Sequence, residues 1–352
     1  MLPPDQIAMH AGQLLLRKAG SALLTIGFVL VLNFFLFRVL PGDPARAGIK
    51  DPRMTRAAQA AIHERFGLDK PVLPCLASLN PLRRGPCLVN PLQTQFFIYV
   101  NNLLHGELGI SYHTKIPVGQ LLRARLWNTA VLLSAGQTLA IVLGVAGGVL
   151  AAWQAHTRID YAALIISLVA WSLPTFWLGL IMLFWGSRYA GLPIGGQLTP
   201  GLAAAGTWAQ FTDAARHLVL PTLTQTIIYL AEYLLIMRST MLDVLAEDYI
   251  LTAKAKGLST FQVLKDHALR NAALPIITIV ALNLGFTVAG AVQIEAVFSW
   301  PGLGQAIFES VARRDYPVLQ GAFLLLAVSV IVANLLADLL YSWLDPRVQA
   351  AL

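Results

Sequence analysis

Long apolar runs alternate with polar connections along most of this chain. Six windows are long and apolar enough to cross a bilayer, which takes about 20 residues of helix. The windows cover residues 19–40, 129–153, 161–185, 218–237, 272–298 and 318–344. The pattern therefore predicts an all-α membrane protein with six transmembrane helices.

The composition agrees with a protein that has lipid as its solvent. Of the 352 residues, 57% are hydrophobic and only 12% are charged, whereas a soluble domain carries roughly a quarter charged residues. The net charge of +7 does not indicate a nucleic-acid partner, because the basic residues are not gathered in a patch interleaved with aromatic residues. Several lie at the ends of apolar windows, where Lys and Arg orient membrane helices.

Basic residues indicate which connections face the cytoplasm. They lie before the first window, after the second and after the fourth, which six spans place on one side: Arg17, Lys18, Arg158, Arg238, Lys254, Lys256, Lys265 and Arg270. The connection 190–215 on the other side has no Lys or Arg, although Arg313 and Arg314 count against the asymmetry. The positive-inside rule then predicts that both termini are cytoplasmic.

The predicted organisation follows from these spans. A cytoplasmic N-terminus at 1–18 and a first helix at 19–40 precede a long extracytoplasmic region at 41–128. A five-helix transmembrane core at 129–344 follows and contains a cytoplasmic loop at 238–271. The C-terminus at 345–352 is again predicted to be cytoplasmic.

The two cysteines of the chain, Cys75 and Cys87, both fall in the extracytoplasmic region. In an oxidising compartment they can close a disulfide, which would contribute on the order of 3 kcal/mol by the chain-entropy estimate. Two unpaired thiols are the alternative. A metal site is not predicted, because no His or second Cys pair lies nearby at ligand spacing.

The stretch EDYILTAKAKGLSTFQVLKDHALRNAALP, at 247–275, is the most polar long segment in the second half of the chain. Its residues predict a helix at 239–256 that ends at Gly257, since glycine readily adopts the left-handed conformation that stops a helix. Ser259 and Gln262 then form the S-x-x-Q pattern of a capping box, in which each side chain satisfies a free backbone N–H. A second, short helix is therefore predicted to begin at Ser259.

The short helix carries an apolar tip with polar flanks. Phe261, Val263 and Leu264 lie beside Lys265 and His267, and such a surface needs a cover in the cytosol. One explanation is an amphipathic helix that lies on the membrane surface. The other is a helix that fills a socket in a cytoplasmic subunit and passes motion to the spans.

Two glutamates in or near the spans are candidates for a translocation pathway. Glu232 lies in the fourth window and Glu295 near the end of the fifth, and ionisable residues inside membranes often line such pathways. Glu295 also precedes the FSWPGLG turn, so it can instead serve as the anchor of that turn.

Small residues and prolines indicate how the spans pack and bend. Gly144 and Gly148 form a G-x-x-x-G pair in the second window, a spacing that allows close helix packing. Pro174, Pro221 and Pro275 lie in or beside windows, where proline frees a carbonyl and bends a helix, although membrane helices also tolerate proline.

Several sequence blocks resemble the permeases of binding-protein-dependent ABC importers, in the dipeptide/oligopeptide/nickel branch. YILTAKAKGLS and VLKDHALRNAALPIIT resemble their cytoplasmic signature loop. The other blocks follow in the expected order over nearly the whole chain: RVLPGDPA, HGELGIS, LPTFWLGL, EAVFSWPGLG, RDYPVLQG and NLLADLLYSWLDPR. The chain departs from the family pattern in two places. Leu251, Thr252 and Ala253 stand where the general signature has E-A-A, and an apparent insertion at 72–92 contains both cysteines.

The resemblance implies a type I ABC importer permease fold in the plasma (inner) membrane, and a coupling helix in the loop. The residues implied to couple to an ATPase are Ala253, Gly257, Leu258, Ser259, Phe261, Gln262, Val263, Leu264 and Lys265. The implied partners are a second homologous permease, two ATPase subunits, an extracytoplasmic solute-binding protein and membrane lipid. ATP and Mg²⁺ belong to the ATPase subunits, and no cofactor or metal is expected in this chain.

The resemblance also implies a non-catalytic subunit that imports di- or oligopeptides. The sequence has no G-x-x-x-x-G-K-[ST] loop for holding phosphates. The alternative substrates are nickel chelates, glutathione or another small solute. A self-sufficient secondary transporter is less favoured because no internal repeat is found, and an intramembrane enzyme because H-E-x-x-H and G-x-S-x-G are absent.

Overall fold

A computed structural model of the protein describes residues 4–39, 70, 93–202 and 206–344. In these ranges the regular elements are helical. They are α1 Pro4–Phe34 with a π-helical turn at Phe35–Val39, α2 Gln95–Leu104, α3 Val118–Trp153, α4 Arg158–Ser172, α5 Thr175–Ala190, α6 Thr207–Leu245, α7 Asp248–Ala255, α8 Thr260–Gln262 with a π-helical turn at Val263–Ala268, α9 Leu269–Val297, α10 Leu303–Arg313 and α11 Tyr316–Leu344. Cys75, Cys87 and the predicted insertion lie outside the described residues.

Each predicted transmembrane window corresponds to a described helix or helix pair. Four helices within the described ranges, in α1, α3, α6 and α11, are long and apolar enough to cross a membrane, and α4 with α5 make a fifth if that bent pair is one span. The prediction of an all-α membrane fold is thus confirmed. The count of six spans and the sides of the termini stay predictions.

The bend that Pro174 predicts in the third window is confirmed, although the window contains two helices and not one. By contrast, α6 and α9 continue through Pro221 and Pro275. The chain breaks between α4 and α5 with a bend of 105°. Pro174 has no N–H to continue the helix and disfavours helical backbone in the residue before it, so Leu173 is extended at φ −77° and ψ 131°. The apolar pattern alone could not show this break, because both arms are equally apolar.

The described residues divide into two compact units. The first contains the described residues within 4–11, 127–305 and 329–344, and the second contains those within 12–126 and 306–328. All described candidate coupling and pathway residues lie in the first unit.

In the second unit a buried carboxylate links two of the sequence blocks. Asp315 of RDYPVLQG accepts hydrogen bonds from the Ser111 hydroxyl at 2.5 Å and from the backbone N–H groups of Tyr112 at 3.0 Å and His113 at 3.2 Å. Ser111 closes the block HGELGIS. These residues therefore serve a structural purpose, since a buried carboxylate is stable only when donors surround it.

In the first unit α3 packs against α6 along a stripe of small residues. The stripe repeats every four residues and is buried throughout: Gly136, Ala140, Gly144, Gly148 and Ala152. A Cβ atom added to Gly144 would lie 2.7 Å from Cβ of Tyr233 and 3.0 Å from the carbonyl oxygen of Leu230. The predicted G-x-x-x-G packing is confirmed and extends over four helical turns, because the stripe on α3 has no side chain larger than a methyl group.

A buried ion pair holds the start of α4 against α6. Asp160 is fully buried and accepts hydrogen bonds from Arg238 through Nη2 at 2.8 Å and through Nε at 2.5 Å. The backbone N–H of His156 donates a further bond at 2.9 Å. Since a buried pair is costly when either partner is lost, this contact fixes the connection between α3 and α4.

Replacing Gly144 by Leu should destabilise the protein, because the new side chain would meet the α6 backbone. We expect a loss of about 1–3 kcal/mol, typical of overpacking, seen as a lower midpoint of thermal unfolding in lipid nanodiscs. Ala146→Leu is the matched control, since Ala146 lies two residues away on the exposed face of α3. Equal midpoints for the two variants would contradict the close approach of the helices.

Candidate functional site

The predicted cytoplasmic loop is a bent helical segment, residues 246–271, that begins where α6 ends. A single helix was expected at 239–256, and this is wrong: α6 stops at Leu245 and α7 starts at Asp248. Glu247 between them is extended, with φ −74° and ψ 146°. The break lets α7 turn so that Ile250 is fully buried, and this tertiary packing overrides the helical propensity of the run.

Gly257 ends α7 as predicted. It has φ +79°, the left-handed conformation that glycine adopts without steric cost. Its N–H donates to the carbonyl of Lys254 at 3.0 Å, and the N–H of Leu258 donates to that of Ala253 at 3.4 Å. These two bonds make a Schellman motif, which satisfies carbonyls left free at the helix end.

The capping box at the start of α8 is also confirmed. The N–H of Gln262 donates to the Ser259 hydroxyl at 3.4 Å, and the N–H of Ser259 donates to Oε1 of Gln262 at 3.0 Å. Two defined caps therefore lie only one residue apart. The turn between α7 and α8 is thus set by local hydrogen bonds.

The inner face of the segment is packed onto the membrane helices. Val263 is 1% exposed and Leu264 is 6% exposed, so the prediction that they form an exposed apolar tip is wrong. They belong to one apolar cluster with Ala268 of the same π-helical turn and with residues of α3, α6, α7 and α9: Ala152, Met237, Met241, Ile250, Ala253, Ala272 and Ile276. The segment is therefore anchored to these helices through its own apolar residues.

The outer face remains exposed. Phe261 is 66% exposed, as predicted, and Leu251 is 58% exposed. The predicted coupling residues divide between the faces: Ala253, Val263 and Leu264 are buried, Leu258 is half-buried, and Gly257, Ser259, Phe261, Gln262 and Lys265 are exposed. The contact of any of these residues with an ATPase stays a prediction, and the buried ones can support such a contact only indirectly.

Sequence reasoning missed Tyr249 and Leu251 on this outer face. Tyr249 is 41% exposed and its hydroxyl accepts a hydrogen bond from Nδ2 of Asn271 at 2.7 Å. Residues three apart lie on one face of a helix, so the burial of Ile250 and Ala253 turns these two positions outward. The sequence contains this spacing but does not indicate which face is buried.

Basic residues surround the exposed apolar side chains. Lys254, Lys256 and Lys265 are all exposed. The outer face therefore combines an aromatic centre with a basic edge, which suits a partner groove that is apolar inside and acidic at its rim.

Glu295 is fully buried at the end of α9. Its carboxylate accepts hydrogen bonds from the Thr129 hydroxyl at 2.6 Å and from the N–H of Gln305 at 3.1 Å. Its backbone carbonyl accepts from the N–H of Trp300 at 2.9 Å, and a side chain at Gly302 would overlap the carboxylate. This geometry favours the anchoring alternative, while a pathway role stays a prediction.

Glu232 lies on α6 and is half-buried. Nδ2 of Asn283 on α9 donates to its Oε2 at 2.9 Å and lies 3.4 Å from the hydroxyl of Tyr233. Nε2 of Gln137 on α3 donates to the same hydroxyl. Three helices thus contribute to one polar cluster, which consists of Gln137, Glu232, Tyr233 and Asn283. Gln137 and Asn283 are polar residues inside apolar windows, and this sequence signal could have identified them.

Comparison with known proteins identifies the relatives of this chain. Residues 144–350 match the family described as "Binding-protein-dependent transport system inner membrane component". The dipeptide transport system permease protein DppB of Escherichia coli (strain K12) is 34% identical over 354 residues, covering 96% of this chain and 98% of that protein. The di/tripeptide transport system permease protein DppB of Pseudomonas aeruginosa (strain UCBPP-PA14) is 36% identical over 347 residues, with coverage of 95% and 97%. The oligopeptide transport system permease protein AppB of Bacillus subtilis (strain 168) is 34% identical over 340 residues, with coverage of 96% and 99%.

Gly257→Ala should loosen the turn between α7 and α8. No atom lies within 4 Å of the added Cβ, so the cost is that of left-handed backbone, about 1–2 kcal/mol. We expect faster amide hydrogen exchange at Leu258 and Val263. Gly27→Ala is the control, because Gly27 is helical and equally uncrowded and the change should be neutral or slightly stabilising. Unchanged exchange in Gly257→Ala would contradict the role of the glycine.

Proposed function

The chain belongs to the family of binding-protein-dependent transport system inner membrane components, and from this premise we propose that it is a permease subunit of an ATP-driven peptide importer. In this proposal it forms half of a translocation pathway, and a second, homologous permease subunit forms the other half. It binds and hydrolyses no nucleotide itself.

The observation that carries the proposal is the two-sided packing of residues 246–271. Phe261 projects outward, while Val263 and Leu264 are buried against the membrane helices. A push or pull on the outer face therefore reaches α6 and α9 through close-packed apolar contacts. Because packed interiors resist compression, such a segment suits the transfer of motion from a cytoplasmic motor.

The motor in this proposal is a pair of ATPase subunits that hold ATP and Mg²⁺. Their groove receives the outer face, with Phe261 and Leu251 in its apolar centre. Lys254, Lys256 and Lys265 lie at its edge, where charge would orient the docking. An extracytoplasmic solute-binding protein delivers the solute on the other side of the membrane.

Di- or oligopeptides are the proposed solute. Support comes from relatives that cover nearly the whole chain and are described as dipeptide, di/tripeptide and oligopeptide permeases. Nickel chelates, glutathione or another small solute form the alternative within the same architecture. A secondary transporter is less favoured, because it would leave the capped cytoplasmic segment without a purpose.

Phe261→Asp should abolish co-purification of the ATPase subunits and ATP-dependent uptake of labelled dialanine in proteoliposomes of the full assembly. The carboxylate would be buried unpaired in an apolar groove, which we expect to weaken docking by at least about a hundredfold. The chain purified alone should hydrolyse no ATP.

The matched control is Phe308→Asp, because Phe308 is 62% exposed and lies on α10, outside the predicted cytoplasmic segment. This variant should retain the ATPase subunits. Retention of the ATPase subunits by Phe261→Asp would contradict the coupling assignment. ATP-driven uptake of another solute but not of any peptide would contradict only the proposed substrate.

A further inference from the structure

The polar cluster of Gln137, Glu232, Tyr233 and Asn283 contains a carboxylate without a cation. No Lys or Arg among the described residues forms an ion pair with Glu232. Its only hydrogen bond in the described part of the chain comes from the neutral amide of Asn283, at 2.9 Å. A carboxylate in a membrane span costs several kcal/mol unless protein, water or a ligand compensates.

The cluster also holds a buried acceptor to which no described residue donates. Gln137 is 5% exposed, and its Nε2 donates to the hydroxyl of Tyr233. Its Oε1 is buried, and none of the described residues donates to it. Since buried acceptors are nearly always satisfied, this oxygen can accept a hydrogen bond from a further donor.

Access to the cluster is through Glu232 and Asn283, which are both partly exposed. Gln137 and Tyr233 are buried, whereas Glu232 is partly exposed. Glu232 therefore lies where an arriving group would first meet the cluster. The small-residue stripe of α3 holds that helix against α6 at Tyr233, so the buried side of the cluster is rigid.

The chemistry of these acceptors selects an ammonium group. An ammonium carries one positive charge and three N–H donors, so it can bond a carboxylate and an amide oxygen together. The aromatic face of a tyrosine adds cation–π attraction. A divalent metal is a poorer fit, because the cluster has a single carboxylate whereas hard cations take six or more oxygens.

We propose that Glu232, supported by Asn283, Tyr233 and Gln137, forms an ammonium-binding subsite that a peptide occupies during passage. This inference rests on the proposed function and adds a residue that recognises the solute. Two groups of a peptide share this chemistry, the α-ammonium and the ammonium of a lysine side chain. One carboxylate binds weakly enough for release, as passage requires.

The test uses the full assembly in proteoliposomes, with its binding protein saturated. Initial uptake rates are measured for the dipeptides Ala-Ala, Lys-Ala and Glu-Ala with wild type, Glu232→Gln and Glu232→Asp. Glu232→Gln keeps the size of the side chain and an oxygen for Asn283 but removes the charge. We expect uptake to fall about tenfold, as for the loss of one charge-assisted hydrogen bond.

The three substrates separate the two sources of the ammonium. A fall for all three dipeptides assigns the α-ammonium, and a fall for Lys-Ala alone assigns the side chain. Glu232→Asp, which is shorter but charged, should retain more uptake than Glu232→Gln. ATP hydrolysis stimulated by the binding protein is measured in the same proteoliposomes, so that each uptake rate can be related to the ATP consumed.

Two results would overturn the inference. One is wild-type uptake by Glu232→Gln for every dipeptide. The other is uptake by Glu232→Gln that equals or exceeds that of Glu232→Asp, since a purely structural role favours the variant of matched size. Wild-type uptake in the same experiment reports on the proposed function separately, so either can fail alone.

Discussion

Burial of one face of the bent segment at 246–271 is the contact on which this account depends. Val263 and Leu264 enter an apolar cluster with α3, α6, α7 and α9, while the caps at Gly257 and Ser259 fix the turn that leads to them. Burying two such side chains contributes about 1.5–3 kcal/mol each. The segment is therefore packed into the membrane core on one side and presents its other face outward. A helix that lay loosely on lipid would not have such buried contacts.

Polar residues inside the first unit separate into two kinds by their partners. Asp160 and Glu295 are fully buried and accept two or more hydrogen bonds within the unit. Within the described residues, Glu232 is partly exposed and accepts one bond from a neutral amide, and nothing donates to the buried side-chain oxygen of Gln137 in the same cluster. The first kind stabilises connections between helices. The second has the composition of a binding site.

The sequence predicted features that depend on local chemistry. The helix stop at Gly257, the capping box at Ser259 and the close packing at Gly144 all follow from single residues or short spacings, and the structure confirms each. The apolar windows likewise located the membrane helices, because a bilayer requires a minimum length of apolar helix.

Features that depend on distant contacts could not be predicted in the same way. Nothing in the sequence of residues 239–256 indicates that the helix breaks at Ala246. The break arises because Ile250 packs into the core. The same core buries Val263 and Leu264 and leaves Phe261 outside, although all three are apolar neighbours in sequence. The residues of α3 and α9 that share the cluster with Glu232 are also far away in sequence. The pattern of one segment therefore could not predict that these residues lie together.

The most direct test of the account is site-specific photo-cross-linking in native membranes that contain the whole assembly. A photoreactive residue replaces either Phe261, which is exposed, or Leu264, which is buried. We expect a covalent adduct between position 261 and an ATP-hydrolysing subunit, and only intrachain products at position 264. Adducts of position 261 with lipid alone would contradict it.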